Sequence, residues 1–472
     1  MTQPKFVNRE KELAFLKRMH SSGKSELVVI YGRRRVGKTE LILEFLRGRK
    51  GLYFLASSEG DKENLANFKR KASELIDDEN FSRAEFGDWF FLFDSLAKNI
   101  AFAELARKTK VIVAIDEFPF LIHSNPSIPS IFQRIWELIL KNKNVMLILS
   151  GSSVSVMEEK VLGYGSPLYG RRTGQWELQP LLFARMRKFF PHCSMEELAR
   201  IWFVIGGIPE YILKFDPKLG FWQNIRKNFI RKGCYLYREA EFLLKDEFRE
   251  PKNYVLIFKA IALGKTTSAE ICNYTGLDKG MVSKYLETLK NIGIIREEIP
   301  VTASPKFRRR LYFLVDPYFN FWFRYVYPNK IELEAYREGE ILSAIKKDFQ
   351  NYSGFMFERL VEHLIREKAV LAGFGFEKIG RWWHKDREID IVALDENKMK
   401  ILFCECKWKD NVDAGKIAAN LIEKAKLVKW HNDRRKEIYA VFAKSFRKRI
   451  TKVEGKKAYC FDLKDIEKAM KR

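Results

Sequence analysis

Gly32-Arg33-Arg34-Arg35-Val36-Gly37-Lys38-Thr39 stands between an apolar run, Leu27-Val28-Val29-Ile30-Tyr31, and a segment with helical spacing, Glu40 to Leu46. The eight residues fit GxxxxGK[ST] at every fixed position, in the strand-then-helix setting that the pattern requires. Gly32 and Gly37 let main-chain N–H groups turn inward, and a helix N-terminus adds partial positive charge. Together these make a cradle for phosphate groups. Lys38 would reach the terminal phosphate oxygens, and Thr39 would offer its hydroxyl to Mg²⁺. Arg33, Arg34, Arg35 and Val36 complete the loop and make it unusually basic.

Such a loop needs an acid at the end of a neighbouring strand. Val111 to Ile115 is apolar throughout and ends in Asp116-Glu117. Asp116 would hold Mg²⁺ through water, and Glu117 would orient or deprotonate the attacking water; the alternative is a surface acidic pair closing a strand. A third apolar run, Val145 to Leu149, ends in Ser150-Gly151-Ser152, where Ser150 or Ser152 would sense a γ-phosphate or simply make a turn. All three runs lack period-two alternation, which predicts strands covered on both faces in a parallel α/β sheet. Further on, Gly170-Arg171-Arg172 offers an arginine, Arg171 first, to neutralise the transferring phosphoryl group, from the same chain or a neighbour; a solvated basic turn is the alternative.

Phe6-Val7-Asn8-Arg9-Glu10, the phosphate loop, the Asp-Glu strand end, Leu149 to Ser152 and Tyr169 to Arg172 together resemble the archaeal ATPase family, which groups with AAA-like and STAND-type P-loop ATPases. The similarity covers roughly residues 4 to 215. It implies a Walker-type ATPase using ATP and Mg²⁺, and it implies that Phe6 to Glu10, Arg9 included, lies near the adenine.

Residues 176 to 245 read as helical and aromatic-rich, broken at Gly206-Gly207-Ile208-Pro209, so a first domain of 1–245 is expected, with a helical extension. Residues 251 to 327 read as a winged helix-turn-helix. Thr275-Gly276-Leu277 makes its turn, and Met281, Val282, Tyr285, Leu286 and Leu289 form a buried stripe on the second helix. Lys306, Arg308, Arg309 and Arg310 lie at the hairpin tip. DNA is one partner this predicts, with the helix in a groove and the hairpin on phosphates; protein contact, or packing as a lid, is the other. Residues 328–353 are expected as a charged linker helix.

A second α/β pattern occupies 354–472. Glu358 borders an apolar helical stripe, Asp390 interrupts an apolar strand, and Glu405 and Lys407 share a strand face with Ile401 and Phe403. Asp390 and Glu405 could ligate Mg²⁺ with Glu358 assisting, while Lys407 positions water or stabilises negative charge. Trp382, Trp383 and His384 would line a nucleic-acid path. The pattern resembles restriction-endonuclease-like nucleases of the D…(D/E)xK type, a domain often fused to archaeal ATPases. The alternative is a Lys–Glu ion pair in an inactive relative of that fold.

Composition fits this reading. Lys plus Arg number 86 against 61 Asp plus Glu in 472 residues, a formal charge of +25. Such a field draws polyanions. The six cysteines form no CxxC pair, pointing to a reducing compartment. Met1 to Glu12 is polar, without a signal peptide, and no apolar run would span a bilayer. The expectation is a cytoplasmic, Mg²⁺-dependent ATPase that contacts DNA and cleaves it. Alternatives are an ATP-driven switch or adaptor with an inactive last domain, and a ring-forming homo-oligomer that remodels or translocates.

Overall fold

Strands that are apolar at every position need cover on both faces, and the first sheet has it. The computed structural model describes residues 6–248 and 250–471. Five strands form this sheet: β1 (Glu26–Tyr31), β2 (Gly51–Leu55), β3 (Val111–Asp116), β4 (Val145–Gly151) and β5 (Gly174–Glu177). All pair in parallel, in the order β2-β3-β4-β1-β5. Alternate residues divide between two cores. Leu27, Val29, Val113, Ile115 and Leu147 enter one, while Val28, Ile30, Ile112, Ala114 and Ile148 enter the other. The phosphate loop leaves the C-terminal end of β1 and opens helix α1 (Lys38–Leu46). The start of the segment expected to be helical from 176 is instead the edge strand β5, whose Trp176 packs on Phe15 with ring centroids 5.1 Å apart.

The chain divides into two compact units, one running to Leu181 and including Ile208–Glu210, the other holding Leu182–Gly207 and everything from Tyr211. The helical extension expected to belong with the first domain therefore groups mainly with the second unit. Its helix Met195–Ile205 packs on residues far along the chain. Tyr352 donates its hydroxyl to the Phe203 carbonyl at 2.7 Å, and the Phe203 ring meets Trp408 at 5.0 Å.

Within the second unit, helices α2 (Lys252–Ala262), α3 (Ser268–Thr275) and α4 (Lys279–Asn291) precede a hairpin of β6 (Ile295–Glu298) and β7 (Leu311–Leu314). Thr267 caps α3 in a reciprocal pair with Glu270, and Gly276 ends it in the left-handed region at φ 71°, which gives the helix-turn-helix its corner. Val282, Leu286 and Leu289 are buried as expected. Met281 is not: it is 38% exposed, because it lies about 100° around the helix from Val282 and off the packed stripe. Helix α5 (Glu338–Arg366) runs unbroken for 29 residues, so part of the expected linker and the first helix of the last domain are one element.

The last sheet contains β8 (Lys378–His384), β9 (Arg387–Asp395), β10 (Lys400–Lys407), β11 (Lys436–Ala443), β12 (Lys452–Val453) and β13 (Lys456–Phe461), ordered β12-β13-β11-β10-β9-β8. Between β10 and β11, helix α6 (Ala414–Lys426) buries Leu421, Ile422 and Ala425 against Ile401 and Phe403. Among the described residues, no helix is long and apolar enough to cross a membrane.

Phe132 is fully buried in the first unit, its ring 5.7, 5.8 and 5.0 Å from those of Trp89, Phe93 and Phe118. Phe132→Ala should destabilise this unit by about 3–5 kcal/mol, read from urea unfolding, through reduced burial and the cavity left behind. An unchanged midpoint would show that this cluster is not a packed core.

Candidate functional site

The phosphate loop is built from residues whose backbones accept unusual angles. Gly32 has φ 147°, and a Cβ there would lie 2.5 Å from the Leu178 carbonyl oxygen. Gly37 adopts φ 95° at the N-cap of α1. Arg35, with φ 69°, is a side-chain-bearing residue held in the left-handed region. Lys38 is buried, and its ammonium group donates to the Gly32 and Arg33 carbonyls at 2.9 and 3.1 Å. Burial lowers its pKa against the upward pull of Glu117 and Asp116.

Asp116 closes β3 with no exposed surface. Its Oδ2 accepts from the Thr39 hydroxyl at 2.6 Å and from the Tyr53 hydroxyl at 2.9 Å, while Oδ1 accepts from the Glu117 main chain at 3.0 Å. Thr39 and Asp116 are thus brought together from different strand ends. Sequence reading missed Tyr53, which no motif marks; it arrives because β2 pairs with β3, placing Leu55 beside Asp116. Burial and the Asp116 charge raise the Tyr53 pKa, keeping its phenol a donor.

Glu117 turns out of the strand at φ 53° and accepts from the Ser152 N–H and hydroxyl at 3.2 and 2.6 Å. Of the two candidate serines, Ser152 is therefore tied to Glu117, whereas the Ser150 hydroxyl is buried without a hydrogen-bond partner. Arg9 also reaches the loop. It donates to the Val36 carbonyl at 2.8 Å, the Gln179 carbonyl at 2.9 Å and Glu12 at 3.0 Å, so it braces the loop's main chain.

The structure does not bring Arg171 to this loop within the chain. Thr173 donates to the Leu27 carbonyl and Gly174 pairs with Val28, which puts the Arg171 backbone by the beginning of β1. The loop leaves the other end of that strand, roughly 13 Å away by strand rise. The Arg171 guanidinium binds Glu137 at 3.4 Å and the Tyr169 carbonyl at 3.0 Å.

In the second unit, Glu358, Asp390, Glu405 and Lys407 converge. Lys407 donates to Glu405 at 2.7 Å and lies 3.8 Å from Asp390; the Cys406 N–H donates to Asp390 at 2.8 Å. Two cations absent from the motif join them. Lys424 on α6 binds the other Glu405 oxygen at 2.5 Å, and Arg381 on β8 pairs with Glu358. Burial, then the Glu405 charge, pushes Asp390 up to about 6; burial, then the Asp390 charge, pushes Glu358 up to about 8. Burial would lower the Lys407 pKa, but Asp390 and Glu405 more than offset this and raise it. Cys404 and Cys406 are buried. Among the described residues, no group of three or more His, Cys, Asp or Glu is arranged to hold a metal ion. Trp382 and Trp383 are buried rather than lining an open path, while His384 is exposed.

Comparison with known proteins gives matches to three stretches of the chain. Residues 6–215 match a family model described as an ATPase domain predominantly from Archaea, and 252–297 match one described as a bacterial regulatory protein of the arsR family. Residues 322–417 match a model of archaeal and bacterial proteins of unknown function. The Walker-type ATPase PABY2304 of Pyrococcus abyssi shares the fold, with a TM-score of 0.51 and 21% identity over 68% of this chain and 96% of that one. The uncharacterized ATP-binding protein MJ0423 of Methanocaldococcus jannaschii is 56% identical over 45 residues, 10% of this chain and 76% of that protein. The uncharacterized protein MJECL04 of the same organism is 41% identical over 466 residues, covering 98% of this chain and all of that one. This chain belongs to the family of MJECL04, and its first unit carries an archaeal-type ATPase domain.

Proposed function

We propose that this protein binds and hydrolyses ATP with Mg²⁺ in its first unit, contacts duplex DNA through its winged helix, and cleaves phosphodiesters at the Asp390–Glu405 cluster. The observation that carries the first part is the 2.6 Å contact between Thr39 and Asp116 beside the Lys38 ammonium. Mg²⁺ is held by one or two carboxylates plus substrate phosphates rather than by an all-protein cage, so one hydroxyl and one carboxylate suit it. It would supply charge neutralisation between the phosphates. Lys38 would exchange its loop carbonyls for phosphate oxygens, and Glu117, fixed by Ser152, would orient the attacking water. Gly32, Arg33, Arg34, Arg35, Val36 and Gly37 would wrap the phosphates, with Arg9 bracing the loop from Val36.

The DNA reading rests on the helix-turn-helix with its hairpin and on the net charge of +25. At the cluster, Asp390 and Glu405 are the oxygen donors a divalent cation would use, Glu358 stands beside them, and Lys407 would hold a proton or stabilise charge. A second reading, an ATP-driven switch or adaptor with an inactive last domain, is favoured by one observation. Both Glu405 oxygens are already committed, to Lys407 and Lys424.

Lys38→Ala should reduce phosphate release from ATP by about 10²-fold or more, measured with purified protein and Mg²⁺. Persisting turnover would remove the site assignment. Mg²⁺-dependent nicking of supercoiled plasmid should occur with the intact protein and vanish in Asp390→Ala; an intact protein that never nicks would leave the switch reading in its place. Stability provides a further check. The Asp390 carboxyl has an ordinary value of 3.8 and rises to about 6 in the fold. The folded state thus binds this proton more tightly, and its contribution is lost as pH rises through that window. In metal-free buffer, Asp390→Asn should flatten the fall in melting temperature between about pH 4 and 6; identical profiles would mean that Asp390 is not held against its charge.

A further inference from the structure

The hairpin of a winged helix is usually pictured as a free arm. Here it is fastened to the last sheet. β8 is an edge strand, and part of its open side is taken by the loop joining β6 to β7: the Val301 N–H donates to the Arg381 carbonyl at 3.0 Å. Nearer the end of β8, the Phe307 ring meets Trp383 at 6.4 Å. The indole N–H of Trp383 is buried there without a hydrogen-bond partner. Beneath the loop, the hairpin is tied by charge. Glu298 on β6 pairs with Arg359 of α5 and lies 3.9 Å from Arg381, and Arg296 pairs with Glu362 at 2.7 Å. Arg359 also covers the Phe313 ring of β7 at 4.3 Å. These side chains are largely out of water, so lifting the hairpin away would strand several charges at once.

The same connection leads into the acidic cluster. Arg381 pairs with both Glu298 of the hairpin and Glu358, and Trp383 sits opposite Glu388, two residues before Asp390. What the loop presents outward is basic. Ser304 to Arg310 carries Lys306, Arg308, Arg309 and Arg310 and no acid. Arg310 turns back to Glu297, while Lys306, Arg308 and Arg309 are exposed. At the neighbouring β8–β9 turn, Lys385 and Arg387 are offset by Asp386 and Glu388, so the positive surplus comes from the loop. On the same module, α4 exposes Lys279, Lys284 and Lys290.

We propose that the docked hairpin is a fixed part of the last domain's substrate surface. Lys306, Arg308 and Arg309 hold the phosphate backbone of duplex DNA and set its course toward Asp390 and Glu405. This rests on the DNA reading above and adds the surface, the partner and the requirement that the hairpin stay docked while DNA is bound.

A cross-link tests the requirement. A Cβ placed on Gly380 would lie 3.8 Å from the Val301 Cβ, inside the roughly 3.5–4.5 Å range of disulfides. The Val301→Cys/Gly380→Cys chain should form this bond, detected by mass after alkylation, with oxidised wild type as the control for native cysteines. The oxidised form should bind a fluorescent 30-base-pair duplex within about twofold of its reduced form. In the same assay Lys306→Ala/Arg308→Ala/Arg309→Ala should weaken binding and lower the slope of log K against log salt by about 2–3, near 0.9 for each phosphate no longer neutralised. Loss of binding on oxidation, restored by dithiothreitol, would show that the hairpin must leave the edge and would overturn the proposal while leaving DNA binding intact. A wild-type salt slope in the triple variant, or failure of the bond to form, would also overturn it. Absence of duplex binding by the wild type at low salt would instead remove the DNA reading itself.

Discussion

A parallel sheet buried on both faces leaves its polar chemistry one place to stand, at the strand ends. β1, β3 and β4 send alternate residues into two separate cores, so none of these strands has a face to spare for a charge. Asp116 follows the last apolar residue of β3, and Thr39 follows the turn out of β1; both hang over the same edge. Their 2.6 Å contact therefore depends on the pairing register of β3, β4 and β1. A one-residue slip of β3 would send its apolar set to the wrong cores and carry Asp116 off this edge. The site is thus as rigid as the sheet, while the loop between the strands, with Gly32, Arg35 and Gly37 at positive φ, supplies the curvature.

The second unit solves the opposite problem. Asp390 and Glu405 stand on strands whose neighbouring positions are packed, and burying a carboxylate without a partner is costly. The fold answers with cations from three elements: Arg381 from β8, Lys407 from β10 and Lys424 from α6. Compensation is uneven. Glu405 has an ammonium on each oxygen, whereas Asp390 has a main-chain N–H and an ammonium no nearer than 3.8 Å. Of these two strand acids, Asp390 is the one whose charge is less matched, so an added cation would gain more there than at Glu405.

How much of this was legible follows from the range over which each signal acts. The phosphate loop, the apolar strands and the Asp116 strand end are local patterns, and the structure places them as read. The stripe of α4 was legible except for Met281, one step off the packed face, and Tyr285, which is only half-buried. Tyr53, Lys424 and Arg381 carry no local signature, since each reaches its acid only through strand pairing or helix packing. The place of Arg171 was illegible for the same reason: a Gly-Arg-Arg stretch looks equally suitable at either end of a sheet, and only the pairing of Gly174 with Val28 puts it away from the loop of its own chain. Helix periodicity does not reveal which core a helix joins, so the grouping of Leu182–Gly207 with the second unit and the continuity of α5 to Arg366 had no sequence signal.

Burial also changes what the net charge means. Among the described residues, those buried with an acidic group include Glu26, Asp116, Glu239, Glu362, Asp390, Asp395, Glu405 and Asp462, while those with a basic group are Arg9, Lys38 and Lys110. The asymmetry has a physical cause. A short carboxylate is consumed where the fold needs an acceptor, at strand ends and helix caps, whereas Lys and Arg bury their stems and leave their heads in water. The surface is therefore more basic than the composition alone implies. Part of that surplus is on an acid-free stretch, Ser304 to Arg310, which the ion pairs of Glu298, Arg359 and Arg381 hold in one place. A polyanion approaching this unit meets cations whose positions are set by buried charge, so the same pairs that neutralise the interior fix the geometry of the exterior field.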